Sequence, residues 1–259
     1  MKDESFPSIP QALLLVLSVF LVEYVVGLAL YDARRSLALS QAELAALVTL
    51  LGNGVVFATL LHAKEMPYRD LFHPSVASVR ATFLFLVPPV ALLIPALILV
   101  ITVANRMLIG VLPLSVREEQ LFQGMASTSI ANTVTVCVLA PILEEMLFRG
   151  IILRAFLQRY SRGTAIGASA LIFGVAHLNI YQFVIAFLLG TLAGWLYERS
   201  RSLVAPIALH GFYNTAVTYL AASMAGPAAS VGLGTWALAA GGGTMGALAL
   251  SRVLVGRRG

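Results

Sequence analysis

Charge is scarce in this chain: 11% of its 259 residues are Asp, Glu, Lys or Arg, against about 25% in an ordinary soluble domain. With 59% hydrophobic residues and a mean hydropathy of +0.90, a water-soluble fold of this length is excluded, because it has too little polar surface to cover so much apolar side chain. The bilayer must be part of the solvent. Cysteine is almost missing: Cys137 stands alone inside an apolar run, so no internal disulfide can form and a small packing residue is expected there. The net charge of +5 is scattered singly between apolar spans and forms no basic face interleaved with aromatics, which argues against nucleic acid as a partner. There is no HExxH pair, no solenoid period and no low-complexity linker.

What is present is length of apolar run. Eight segments meet or approach the roughly 20 residues that a spanning helix needs: 11–31, 42–62, 82–104, 126–147, 164–179, 180–197, 203–222 and 231–250. The expected class is therefore an all-α, polytopic transmembrane bundle of about eight spans, one domain over 1–259, resident in the cell membrane. The first run is longer than a signal-peptide core, contains Glu23 and lacks a small-residue cleavage site, so it is expected to be retained as a span. The fifth and sixth, separated by little more than LNIYQ, should form a tight helical hairpin. Eight spans place 13 of the 17 basic residues on one side, leaving Arg34, Arg35, Arg106 and Arg117 on the other. Because cytoplasmic loops collect Lys and Arg, both termini are expected in the cytoplasm. The pairs Gly190/Gly194 and Gly242/Gly246 suit close helix packing, and Pro88, Pro89 and Pro95 are expected to bend the third span.

Ionisable groups inside spans are costly and mark candidate sites. The stretch PILEEMLFRG holds Glu145 and Arg149 at i and i+4, the acid N-terminal, which is the favourable order for a helical ion pair. Glu144 lies about 100° around the helix and has no partner on it. One acid is thus tied and the other free. FGVAH sets Phe173 one turn from His177, and HGFYN sets His210 one turn from Asn214. Glu23 stands alone near the start, and His62 closes the second span at the interface. Buried polar groups in lipid must find partners, and the simplest arrangement has these groups meet.

Together they can do hydrolysis. A carboxylate and an imidazole can hold a water and take its proton, while a second imidazole and an amide N–H can donate to a developing oxyanion. That set cleaves an amide without a covalent intermediate and without a cofactor. Zinc is the alternative, with Glu144, His177 and His210 as ligands and an open position for water. A proton-relay transporter is disfavoured, since no inverted repeat of broken helices is seen.

The signatures EEMLFR, FGVAH and HGFYN resemble the CPBP family, the CAAX prenyl proteases of the Rce type and their bacterial Abi relatives, whose pattern is EExxxR, FxxxH, HxxxN in that order. The resemblance covers 125–222, the catalytic core, and leaves 1–104 as accessory spans that shape access. It implies that Glu144 and His177 activate water, that His210 and Asn214 serve the oxyanion, and that Glu145, Arg149 and Phe173 support the site. The implied activity is an intramembrane endopeptidase acting on a peptide or C-terminal segment of a membrane-associated protein, with a site open toward the cytoplasm. A non-catalytic bacteriocin-immunity or partner-binding membrane protein is the other class the family allows.

Overall fold

The computed structural model describes residues 6–125, 129–223 and 232–255, and among them there are helices and no strands. In chain order these are α1 (Ile9–Ser36), α2 (Gln41–Lys64), α3 (Tyr68–Phe72), α4 (Val79–Val111), α5 (Val116–Met125), α6 (130–159), α7 (Arg162–Ala176), α8 (Ile180–Ser200), α9 (Val204–Ser223) and α10 (Leu233–Val255). Each of the eight apolar segments coincides with one of them. Among the described residues, α1, α2, α4, α8 and most of α10 are long and apolar enough to cross a bilayer, while α7 is shorter at 15 residues. The short helices α3 and α5 lie outside the apolar runs and were not legible as elements. The basic residues Lys2, Arg257 and Arg258 lie outside the described residues, as do 126–128 of the expected core.

Local chemistry sets the helix starts. Ser40 and Glu43 form a reciprocal cap on α2: the Glu43 amide donates to Ser40 Oγ, and the Ser40 amide to Glu43 Oε2. Ser115 and Glu118 repeat the arrangement on α5. These bonds, the Ser115 backbone N–H first, hold the exposed Glu118 carboxyl below its usual range. Asn179 opens α8 by accepting from the Tyr181 and Gln182 amides. Just before it, Leu178 takes φ 53°, a left-handed turn that lets the chain reverse between α7 and α8. The tight hairpin expected at LNIYQ is this corner.

α6 is not a regular α-helix. It widens to π-helix at Thr135–Leu139 and again at Met146–Leu153, on either side of Glu144 and Glu145. Such widened turns recur at functional sites. Around its second half the core is dense: Phe148, Ile152, Leu153 and Phe156 are all buried, packed with Leu71 of α3 and Leu203 at the head of α9. A second cluster joins α4, α8, α9 and α10. There Gly243 and Gly246 let α10 approach α4 so closely that an added Cβ would meet the Ala96 Cβ or the Pro89 carbonyl at 2.6 Å.

The helix ends sort into two sets. At one end, Leu203 donates to the Phe72 carbonyl, Arg154 to that of Asp70, and Arg162 pairs with Glu198. At the other, Tyr181 Oη donates to the Leu112 carbonyl at 2.7 Å, and Phe122 of α5 meets the Tyr181 ring edge-on. Glu23 is not alone, as its sequence position suggested. Asn53 of α2 donates to its carboxylate at 2.7 Å, so α1 and α2 satisfy each other's polar groups.

Candidate active site

Arg149 is the largest fully buried side chain, at 0% exposure, and the site is built upon it. Its Nη1 donates to Glu145 Oε1 at 2.8 Å, its Nη2 to the Gly190 carbonyl of α8 at 2.9 Å, and its guanidinium lies 4.7 Å from the centre of the Phe173 ring. The i, i+4 pair read from the sequence is present. Arg149, counted from the sequence among the 13 basic residues of one side, is however sealed in the core and not at a loop. The glycine at 190 is likewise more than packing: a Cβ there would meet Arg149 Nη2 at 2.9 Å and Phe173 Cδ1 at 3.0 Å. Its absence lets the guanidinium reach the α8 backbone.

Glu145 holds a second partner that helical spacing could not reveal. Its Oε1 also accepts from His210 Nδ1 of α9 at 3.0 Å. A carboxylate already taking a bond from arginine can only accept, so His210 carries its proton on Nδ1 and turns Nε2 outward. That Nε2 is 3.9 Å from Glu144 Oε2. Glu144 itself keeps about a third of its side-chain surface open, at 34%, while Glu145 is sealed at 0%. The division into one tied and one free acid holds in three dimensions.

His177 ends α7. Its Nδ1 donates to the Phe173 carbonyl at 2.9 Å, which again leaves Nε2 as the available atom. Phe173 is wedged between the two imidazoles, edge-on to both, with centroids 5.0 and 5.8 Å away. Asn214 Nδ2 donates to the Val136 carbonyl at 2.8 Å, within the first π-helical stretch of α6.

Glu144, His177, His210 and Asn214, with Phe173, all line one cavity of about 500 Å³. Its remaining wall includes residues that no motif flagged: Asn105 and Ile109 of α4, Phe122 of α5, and Tyr181 and Gln182 of α8. Asn105 Oδ1 is buried there without a hydrogen-bond partner among the described residues. The available signal was an amide just past the apolar run 82–104, and Asn105 was not among the candidate residues it suggested. Among the described residues no three acidic, histidine or cysteine side chains form a group fit to hold a metal ion.

Comparison with known proteins points the same way. Residues 126–216 match the family model described as Type II CAAX prenyl endopeptidase Rce1-like. An Escherichia coli protein named only as an uncharacterized 24.3 kDa protein is 37% identical over 86 residues, covering 31% of this chain and 40% of its own length. The Bacillus subtilis protein named "Putative membrane peptidase YdiL" is 31% identical over 83 residues, covering 32% of this chain and 34% of its own. The chain thus spans less than half the length of these curated relatives. No solved structure matches. The resemblance read from the three motifs stands on the stretch that carries them.

Proposed function

Because residues 126–216 match the Rce1-like family and the four polar groups converge on one cavity, we propose that the protein is an intramembrane endopeptidase of the cell membrane, cutting a peptide or C-terminal segment of a membrane-associated protein. The observation that carries this reading is the 3.9 Å between Glu144 Oε2 and His210 Nε2. It is too long for a direct hydrogen bond, so Glu144 Oε2, buried without a hydrogen-bond partner among the described residues, stands beside His210 with its capacity to accept a proton unused.

In the proposed step Glu144 takes a proton from water, the hydroxyl oxygen bonds to the scissile carbonyl carbon, and the carbonyl oxygen becomes negative. His177 Nε2 accepts from the same water and helps to aim it. The free N–H of Asn214 donates to the oxyanion. His210, held at Nδ1 by Glu145, donates to the same oxygen from Nε2 in its doubly protonated form, the extra proton coming from solvent before the step and staying on the ring through it. Collapse breaks the C–N bond, and the amine leaves with the proton held on Glu144. Removal of a C-terminal segment, the CAAX-type reaction, is the finer form of the same reading.

Asn105 supplies a role for the cavity's far wall. An extended peptide entering an apolar cavity brings backbone N–H groups that need acceptors, and Asn105 Oδ1 is an acceptor without a bond among the described residues. Asn105→Leu is expected to leave melting temperature unchanged or raised, since a buried unpaired acceptor is removed, while apparent KM for a cleaved peptide rises. A lower melting temperature with unchanged KM would make Asn105 structural.

The zinc alternative separates cleanly. The proposed mechanism expects purified protein whose activity is indifferent to chelators and does not follow metal content. Stoichiometric zinc that is lost with activity in both His177→Ala and His210→Ala would replace it with metal-activated water. The functional test itself compares N- and C-terminal peptides of membrane proteins from cells with the wild-type chain and with Glu144→Gln.

A further inference from the structure

The cavity occupies one half of the bundle. α4, α6, α7 and α8 contribute lining residues from the half of the helix nearest the end where α5 and the α7–α8 corner meet, and α9 contributes from its middle, His210 to Thr218. On α4 they are Asn105 and Ile109, late in a helix ending at Val111; on α8 they begin at Tyr181, one residue into the helix. The opposite end is closed. Below Glu145 lie Arg149, Ile152, Leu153 and Phe156, all at 0% exposure, packed against Leu71 and Leu203. A separate hollow of about 530 Å³ at that end, lined by Lys64, Asp70, Arg154 and Gln158, reaches none of the four candidate catalytic groups.

The two ends differ in charge. Arg149 is buried in the core and carries no topological information. Without it, and without Lys2, Arg257 and Arg258, nine basic residues remain at or near the closed end: Lys64, Arg69, Arg80, Arg154, Arg159, Arg162, Arg199, Arg201 and Arg252. Only Arg34, Arg35, Arg106 and Arg117 lie at the cavity's end. An excess of Lys and Arg in short loops marks the cytoplasmic face.

We infer that the cavity opens to the non-cytoplasmic face, so that the proposed peptidase takes peptide segments exposed on that side or in that leaflet. The expectation of a cytoplasm-facing site came with the endopeptidase reading and with Arg149 counted among the 13 basic residues of one side. The packed layer beneath Glu145 removes its geometric basis. The inference rests on the endopeptidase reading for the word peptide, and on geometry and charge for the direction.

Thiol accessibility tests it on the full chain. With the sole cysteine removed by Cys137→Ala, single cysteines are introduced by Gln120→Cys on exposed α5, Gln182→Cys in the cavity wall and Gln158→Cys at the closed end, and intact spheroplasts are treated with a membrane-impermeant maleimide. Gln120→Cys and Gln182→Cys should label in intact spheroplasts, Gln158→Cys only after lysis, and labelled Gln182→Cys should cease to produce cleavage fragments. The reverse pattern, with Gln158→Cys labelled in intact spheroplasts and Gln120→Cys only after lysis, overturns the direction. Labelling at Gln120→Cys with none at Gln182→Cys, even after lysis, overturns the opening. The expected labelling combined with identical fragments from wild type and Glu144→Gln would sink the peptidase reading while leaving the opening intact. The two failures are therefore distinguishable.

Discussion

Glu144→Gln should abolish cleavage while leaving a folded, inserted protein. Among the described residues Glu144 bonds to no helix neighbour, and it is a third exposed and faces the cavity, so replacing one oxygen by an amide removes little packing. What it removes is the base. General-base contributions run to about 10²–10⁴-fold, and a loss in that range is expected in kcat, with KM and melting temperature close to wild type. His177→Ala should resemble it, since both groups act on one water. Asn214→Ala should be milder, because His210 still faces the oxyanion; one lost donor costs about 10²–10³-fold. Asn214→Asp should be worse than Ala, as a carboxylate repels the developing charge. Fragments that persist unchanged in Glu144→Gln cells would remove the enzyme reading and leave a partner-binding membrane protein.

The second large effect is on the fold. Arg149→Ala should strip the protein from the membrane fraction and sharply lower its melting temperature in detergent. It leaves Glu145, at 0% exposure, with a histidine as its only remaining partner among the described residues, and the Gly190 carbonyl with none from this side chain. Breaking a well-buried ion pair by removing one partner costs about 3–5 kcal/mol. Arg149→Lys should not rescue, because a single ammonium cannot bond both Glu145 and Gly190 while lying flat on Phe173. An Arg149→Ala protein of wild-type abundance and melting temperature that lacks activity would instead give Arg149 a direct part in catalysis or substrate binding.

Much of this was legible because it is local. Glu145 and Arg149 meet at i+4 on one helix; Phe173 and His177 share a turn, and the structure joins them by a bond from Nδ1 to a carbonyl four residues back. Partners on other helices were not legible. His210 and Asn214 share a face of α9, but the groups that hold them, Glu145 for His210 and the Val136 carbonyl for Asn214, come from α6. Glu23 stood alone only because its partner, Asn53, is 30 residues away on another helix.

Composition alone determined that this chain needs a bilayer, because its apolar content exceeds what a soluble surface can hide. The length of the apolar runs determined where its eight longer apolar helices lie, because a span needs about 20 apolar residues. The order of three motifs determined which family its core resembles. Tertiary structure decided which nitrogen of each histidine is free, why residue 190 must be glycine, and where Asn105 sits. It also decided which end of the bundle is sealed by Phe156 and its neighbours. These depend on how helices distant in sequence cross and rotate against one another. The π-helical turns of α6 shift that rotation around Glu144 and Glu145, and no regular helical period read from the sequence contains that shift.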